Sequence, residues 1–217
     1  GGGAFLLHWD GAALQAWDGR ETAPSAVDEN LFLAADYQPM QFAAAVTGGR
    51  AVGVPGAVRM LEAAHREHGR LPWAQLFDPA IALAEQGFPV SRRLAGLLRS
   101  EAAEPLRADL LARAYFFGPA GEPLGLGERL RNPAFAAVLR RIAAEGSAAL
   151  HQGRVAQDIV RRVRGHAPNP GRLGEADLAG YQPQRREALC TRWRAHYRVC
   201  GFPPPGSGHP ATMQILG

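Results

Sequence analysis

The residues best suited to chemistry in this sequence form the segment DGRETAP at positions 18–24, which follows a short apolar run. Arg20 stands out, because the planar guanidinium can hold a carboxylate through two parallel hydrogen bonds, a geometry that lysine cannot copy. From the residues alone, a surface arginine paired with Glu21 or Asp18 is the favoured interpretation. Arg20 is therefore a candidate carboxylate-binding residue whose role depends on its surroundings.

The sequence offers no other arrangement that could catalyse a reaction by itself. No serine stands in the GxSxG context of a nucleophile elbow. His65 and His68 lie three residues apart on a predicted helix that would expose them, and no HExxH pattern or third ligand accompanies them. The glycine-rich stretches at the start of the chain and near Gly206 lack the lysine and the strand-to-helix context of phosphate loops. We therefore predict no complete active site, no metal site and no cofactor.

Composition excludes several classes of protein. The chain has 217 residues, of which 47% are hydrophobic and 20% charged, enough for one sizeable core. No stretch approaches the ~20 apolar residues of a membrane-spanning helix, and the first residues lack the pattern of a secretory signal. The net charge is +4, and all 24 basic residues are arginine. Because these arginines are scattered, with small clusters at 161–164 and 192–198, we expect no nucleic-acid binding.

Two cysteines, Cys190 and Cys200, flank the segment TRWRAHYRV, which could form a hairpin. They would face each other if the turn has an odd number of residues centred on Ala195, and a two-residue turn would shift them out of register. Free, partly buried thiols are the favoured interpretation. A disulfide would require an exported protein.

The elements that must position Arg20 are strands at both ends of the chain around a helical middle. The apolar runs 4–9 and 12–17, separated by Asp10-Gly11, predict a hairpin that delivers residues 18–24 into a loop, with Pro24 preventing further pairing. Helices are predicted within about 53–165, and strands and loops over about 167–217. The individual helical segments are 58–69, 71–77, a helix with Asp78 as N-cap, 91–100, 132–144 and 153–164.

Six segments together resemble the large subunit of the γ-glutamyltransferases, in the same order and at similar spacing. DGRETAP is the most specific, and HYRVCGFPPPGSG (196–208) is the second. The others are GGGAFLL (1–7), VGVPGAV (52–58), DPAIALAEQGFPVS (78–91) and LGEADLAGY (173–181). The resemblance covers nearly the whole chain and implies an α+β fold, part of the αββα sandwich of the N-terminal nucleophile hydrolases. It implies that residues 1–217 are one partial large-subunit domain.

The resemblance also reverses the interpretation of Arg20, which occupies the place of the arginine that binds the α-carboxylate of the γ-glutamyl donor. The implied activity is transfer or hydrolysis of the γ-glutamyl group of glutathione and related donors, with an amino acid or peptide as acceptor. The implied nucleophile is the first threonine of a small subunit released by self-cleavage. That threonine is absent from this chain, so we expect the chain alone to be inactive, to need the small subunit as its partner, and to self-associate through uncovered strand edges.

Three matters stay open at this point. A cephalosporin or glutaryl acylase of the same superfamily would need a similar arginine, and a non-catalytic homologue would keep the scaffold only. The family's usual PPPSSGG reads PPPGSGH here (203–209), and His209 would be strained if its backbone took a positive φ, although we favour a tolerated variant. The compartment is implied to be periplasmic or extracellular, with cytoplasmic as the alternative.

Overall fold

A β-hairpin opens the part of the chain that the computed structural model describes, residues 2–216. Its strands are antiparallel and pair from Ala4 with Gly19 to Trp9 with Leu14. The Asp10 carboxylate closes the turn by accepting the backbone N–H groups of Ala12 and Ala13. The predicted hairpin is confirmed, with its second strand displaced by two residues. The strands of the described residues are β1 (Ala4–Trp9), β2 (Leu14–Gly19), β3 (Phe88–Pro89), β4 (Arg129–Leu130), β5 (Gln184–Arg186), β6 (Leu189–Trp193) and β7 (Tyr197–Gly201).

Three antiparallel pairings connect these strands beyond the first hairpin. β5 adds to β2, giving the sheet order β1-β2-β5, and β6 pairs with β7. The short pair β3–β4 lies within the middle of the chain, which was predicted to be mostly helical and for which no strand was predicted. Its two-residue strands are too short to show an alternating pattern in the sequence.

Helices occupy the middle of the chain and recur near its end. Asn132 caps its helix as predicted, since its side-chain oxygen accepts the N–H of Phe135, and Ser91 does the same for Leu94. Asp78 is not an N-cap but the first helical residue, after a 3₁₀ turn over Trp73–Phe77. The helices are α1 (Phe42–Val46), α2 (Ala57–His68), α3 (Asp78–Gln86), α4 (Arg92–Arg99), α5 (Glu104–Ala108), α6 (Leu110–Phe116), α7 (Pro133–Glu145), α8 (Ala148–His151), α9 (Gly153–Arg164), α10 (Glu175–Gly180) and α11 (Gly208–Leu216).

The chain divides into two compact units. The first consists of the segment that ends at Arg70 and the segment that begins at Ser147, and the second is Leu71–Gly146. The described residues of the first unit form two apolar clusters. In one, Trp17 of β2 packs on Met60 and Ala64 of α2; the other joins Val54 to α9, α10 and Tyr181. The second unit buries α3 against α7 and has further apolar clusters around Val90 and Leu98.

This arrangement confirms the predicted α+β class, with strands near both ends of the chain and helices between them. The single partial domain stays a prediction. No helix among residues 2–216 is long and apolar enough to cross a membrane.

Cys190 and Cys200 form a disulfide, contrary to the free thiols that we favoured. The turn between β6 and β7 contains three residues, Arg194 to His196, so the cysteines are register partners. This is the odd turn centred on Ala195 that the sequence left open. Arg194, the first residue of this turn, has a positive φ of 44°.

Removal of the disulfide by Cys200→Ser is expected to lower the free energy of unfolding by about 2.7 kcal/mol, the chain-entropy value for a loop of this size. The measurement is thermal unfolding of the full-length protein with and without dithiothreitol. The wild type should lose more stability on reduction than the variant, because it alone has the Cys190–Cys200 bond to lose. Equal responses, or free thiols in the unreduced wild type by alkylation and mass spectrometry, would contradict the disulfide.

Candidate functional site

Arg20 lies immediately after the last residue of β2, where the sequence places it. Its side chain is 59% exposed, and its Nε lies 3.5 Å from Glu21 Oε2. The Cζ atom lies 5.9 Å from the ring centroid of Phe5 on β1. Asp18, the other partner considered from the sequence, is instead bound to Arg186 at 2.7 Å. The guanidinium therefore has one long, solvent-exposed contact with a carboxylate, which is weak enough for an incoming anion to displace.

The backbone of Arg20 is held much more firmly than its side chain. Its N–H donates to Asp18 Oδ1 at 2.9 Å, and its carbonyl accepts the hydroxyl of Tyr181 at 2.8 Å. Asp18 and Tyr181 are both buried, 5% and 6% exposed. The site thus combines a fixed main chain with a guanidinium that faces solvent.

The loop after Arg20 is attached to the VGVPGAV segment (52–58). Thr22 and Val54 exchange two backbone hydrogen bonds, of 3.3 and 2.8 Å. Further along, the N–H of Ser25 donates to Asp177 at 2.9 Å. Burial raises the pKa of Asp177, but hydrogen bonds from Ser25 and from the N–H of Gly174 outweigh it and leave that pKa lowered. These contacts hold the DGRETAP loop in one conformation.

A cleft of about 440 Å³ lies between this loop and the segment around α10. Both walls carry polar groups, including Thr22, Ser25 and Gln182. The complete lining is Thr22, Ala23, Ser25, Val54, Ala176, Asp177, Gly180, Tyr181, Gln182 and Gln184. Tyr181 therefore contacts both the cleft and the main chain of Arg20.

The histidines that the sequence singled out, His65 and His68, both lie on α2. Among residues 2–216, no group of three or more histidine, cysteine, aspartate or glutamate side chains is placed to hold a metal ion. The expected exposure of His68 is wrong, because its Nε2 lies 2.6 Å from Gln15 Oε1 and its ring stacks on His8 at 3.9 Å. The hairpin covers this end of α2, which helical periodicity alone could not reveal.

His209 also has a structural position. None of residues 206–209 has a positive φ, so the strain considered for His209 does not arise. The imidazole packs against Gly201, where a Cβ would lie 2.3 Å from the ring. The glycine at position 201 therefore leaves the space that the imidazole of His209 occupies.

A buried histidine that sequence reasoning missed lies behind the site. His151 is fully buried, and its Nδ1 lies 2.9 Å from the carbonyl oxygen of Leu178. Burial lowers the pKa of His151 below 6.5; the nearby Arg59 acts in the same direction, whereas the contact with Leu178 and the charge of Glu62 oppose it. His151 is therefore neutral in the folded protein at pH 7.

The lowered pKa of His151 makes stability depend on pH. Between the folded pKa and 6.5 the unfolded state binds more protons than the folded state, so stability falls as the pH drops below 6.5, by up to about 1.4 kcal/mol per pH unit. His151→Gln keeps a donor for Leu178 but cannot titrate, so it should flatten this slope in urea unfolding between pH 7.5 and 5. His196→Gln, at an exposed turn, is the matched control. An unchanged slope in His151→Gln would disprove this assignment.

With this geometry established, comparison with known proteins decides the family. The family model described as Gamma-glutamyltranspeptidase matches residues 1–217. The chain belongs to the gamma-glutamyltranspeptidase family. That family places it among the N-terminal nucleophile hydrolases, as the sequence resemblance implied.

Individual relatives agree with this assignment. Glutathione hydrolase 2 of Arabidopsis thaliana is 35% identical over the whole chain, which corresponds to 36% of that protein. The crystal structure of Helicobacter pylori gamma-glutamyltranspeptidase matches with a TM-score of 0.91 and 32% identity, over 100% of this chain and 60% of that one. A cephalosporin acylase from Bacillus halodurans matches with a TM-score of 0.79 and 30% identity, over 94% of this chain and 38% of that one. The chain thus spans about a third of the length of the curated relatives it matches.

Proposed function

We propose that the protein containing this chain transfers or hydrolyses the γ-glutamyl group of glutathione and related donors, and that Arg20 binds the α-carboxylate of the donor. The observation that carries the proposal is the solvent-facing guanidinium of Arg20 on a main chain fixed by two buried side chains. A planar fork held in this way is suited to bidentate binding of a carboxylate. Membership of the family supplies the reaction class.

In this proposal the chain provides substrate binding and another part of the protein provides the chemistry. The threonine hydroxyl of the small subunit attacks the γ-carbonyl, and the threonine's own amine takes the hydroxyl proton. The leaving amine departs protonated, and water or the amine of an amino acid or peptide then releases the γ-glutamyl group. Arg20 would hold the far end of the donor so that the γ-carbonyl meets the nucleophile in a fixed geometry.

The experiment that tests this function uses the full-length protein with γ-glutamyl-p-nitroanilide as donor. We expect self-cleavage into two subunits, visible on a denaturing gel, and release of p-nitroaniline. Self-cleavage without turnover of this donor would refute the γ-glutamyl activity. Absence of both would favour a non-catalytic homologue.

An acylase is the second candidate, and the likeness to the cephalosporin acylase of Bacillus halodurans favours it. A glutaryl group has the same terminal carboxylate as a γ-glutamyl group but lacks the α-amine, so Arg20 fits both substrates. Turnover of glutaryl-p-nitroanilide in parallel with the γ-glutamyl compound separates the two functions. A preference for the glutaryl compound would select the acylase.

Partners and compartment follow from the same proposal. The small subunit would cover the strand edge of β1, which lies at the side of the sheet β1-β2-β5. In its absence we expect the isolated chain to self-associate. The disulfide between Cys190 and Cys200 supports a periplasmic or extracellular location, because such bonds persist in oxidising compartments.

A further inference from the structure

The hydrogen bond between Tyr181 and Arg20 links two segments that are 161 residues apart. Tyr181 follows the last residue of α10, whereas Arg20 follows the last residue of β2. The hydrogen bond is made with the main chain of Arg20 and not with its guanidinium. It reaches the carbonyl oxygen of that residue, so its effect on any ligand of Arg20 must pass through the backbone.

The ring of Tyr181 has little freedom to move. It belongs to the apolar cluster that includes Val54 and Leu178. The carbonyl oxygen of Tyr181 accepts a hydrogen bond of 2.6 Å from Nη1 of Arg59, which fixes the main chain at the end of α10. Tyr181 therefore presents its hydroxyl from a rigid support.

Gly56 makes room for this hydroxyl. A Cβ at position 56 would lie 2.0 Å from the Tyr181 hydroxyl oxygen and 2.6 Å from the carbonyl oxygen of Gly19. Any side chain at this position would push Tyr181 and the end of β2 apart. The glycine of the VGVPGAV segment thus permits the contact.

The Tyr181 hydroxyl is protonated, and Asp18 holds the N–H of Arg20 on the other side of its Cα. Burial raises the pKa of Tyr181, and the charges of Asp18 and Glu21 raise it further, so the hydroxyl keeps its proton and can donate. On the other side, Asp18 accepts the N–H of Arg20 with one oxygen and Arg186 with the other. The peptide groups before and after the Cα of Arg20 are both held.

We propose that Tyr181 is a positioning residue for carboxylate binding: its hydroxyl fixes the carbonyl of Arg20 and thereby the point from which the guanidinium reaches the donor. This inference rests on the proposed function of Arg20. Two parallel hydrogen bonds to a carboxylate require the fork to be placed within about 0.5 Å, and a flexible side chain meets that demand only from a fixed Cα.

The test is Tyr181→Phe in the full-length protein, which removes one oxygen and keeps the buried ring. We expect KM for γ-glutamyl-p-nitroanilide to rise about three- to tenfold, the range for one lost hydrogen bond, with kcat and self-cleavage within about twofold of the wild type. For the same donor with its α-carboxylate converted to an amide, the variant should behave like the wild type. If Tyr181 had only a structural role, Tyr181→Phe would impair turnover of both donors.

Two comparisons complete the test. In an Arg20→Ala background, Tyr181→Phe should raise KM no further, because the group it positions is gone. Tyr115→Phe, which removes a tyrosine hydroxyl from α6 in the second unit, should leave KM unchanged.

The outcomes distinguish the positioning role of Tyr181 from the carboxylate-binding role of Arg20. The role of Tyr181 alone would be overturned if Arg20→Ala raises KM and Tyr181→Phe does not. It would also be overturned if Tyr181→Phe impairs turnover of both donors equally. Arg20→Ala leaving KM unchanged would overturn both the function of Arg20 and the positioning role.

Discussion

Replacing Arg20 with alanine in the full-length protein is expected to lower kcat/KM for γ-glutamyl-p-nitroanilide about a hundredfold. The exposed guanidinium would be lost from a loop whose backbone stays held by Asp18 and Tyr181. Loss of hydrogen bonds to a charged group costs about 3 kcal/mol, which corresponds to this factor. Because the alanine side chain is small and the position is exposed, self-cleavage should continue.

Two further variants make this result specific. Arg20→Lys keeps the charge but loses the fork, so we expect about a tenfold decrease. Arg92→Ala removes an exposed arginine at the start of α4 and should leave kcat/KM within about twofold. A decrease no larger in Arg20→Ala than in Arg92→Ala would contradict the carboxylate-binding role.

Replacing Gly49 with alanine is expected to have the largest effect on stability. A Cβ at position 49 would lie 2.0 Å from the carbonyl oxygen of Val163 and 2.7 Å from the N of Gly171. Both atoms belong to the backbone, which cannot rotate away as a side chain can. We expect a loss of about 3 kcal/mol, or about 6 to 12 °C in the midpoint of thermal unfolding.

Gly96→Ala is the matched control, since it adds the same methyl group to a glycine inside α4. Apart from its chain neighbours and the backbone of its own helix, no heavy atom lies within 4 Å of the Cβ position there, and its φ is not positive. Alanine favours a helix over glycine, so this variant should be stabilised by up to about 1 kcal/mol. Equal midpoints for Gly49→Ala and Gly96→Ala would show that the close approach of Gly49 and Gly171 does not exist in solution.

Local signals in the sequence predicted the elements that position Arg20. Asp10-Gly11 predicted the turn that sends β2 back along β1, and Asn132-Pro133 predicted the start of α7. These signals act within a few residues, where capping and turn chemistry decide the backbone. The DGRETAP motif was likewise found at the strand end.

Long-range contacts could not be predicted in the same way. The sequence allowed the disulfide only for one turn length, and nothing local chose between a two-residue and a three-residue turn. The covering of His68 by the hairpin depends on how β1 and β2 lie over α2. Tyr181 belongs to the LGEADLAGY segment, but its contact with Arg20 depends on how β2 and α10 pack around Gly56.

The most direct test of the central claim compares two donors in the full-length wild type and in Arg20→Ala: γ-glutamyl-p-nitroanilide and its α-amide. If Arg20 binds the α-carboxylate, the wild type should prefer the carboxylate donor about a hundredfold in kcat/KM. Arg20→Ala should lose nearly all of that preference by losing turnover of the carboxylate donor alone. An undiminished preference in Arg20→Ala would contradict the account.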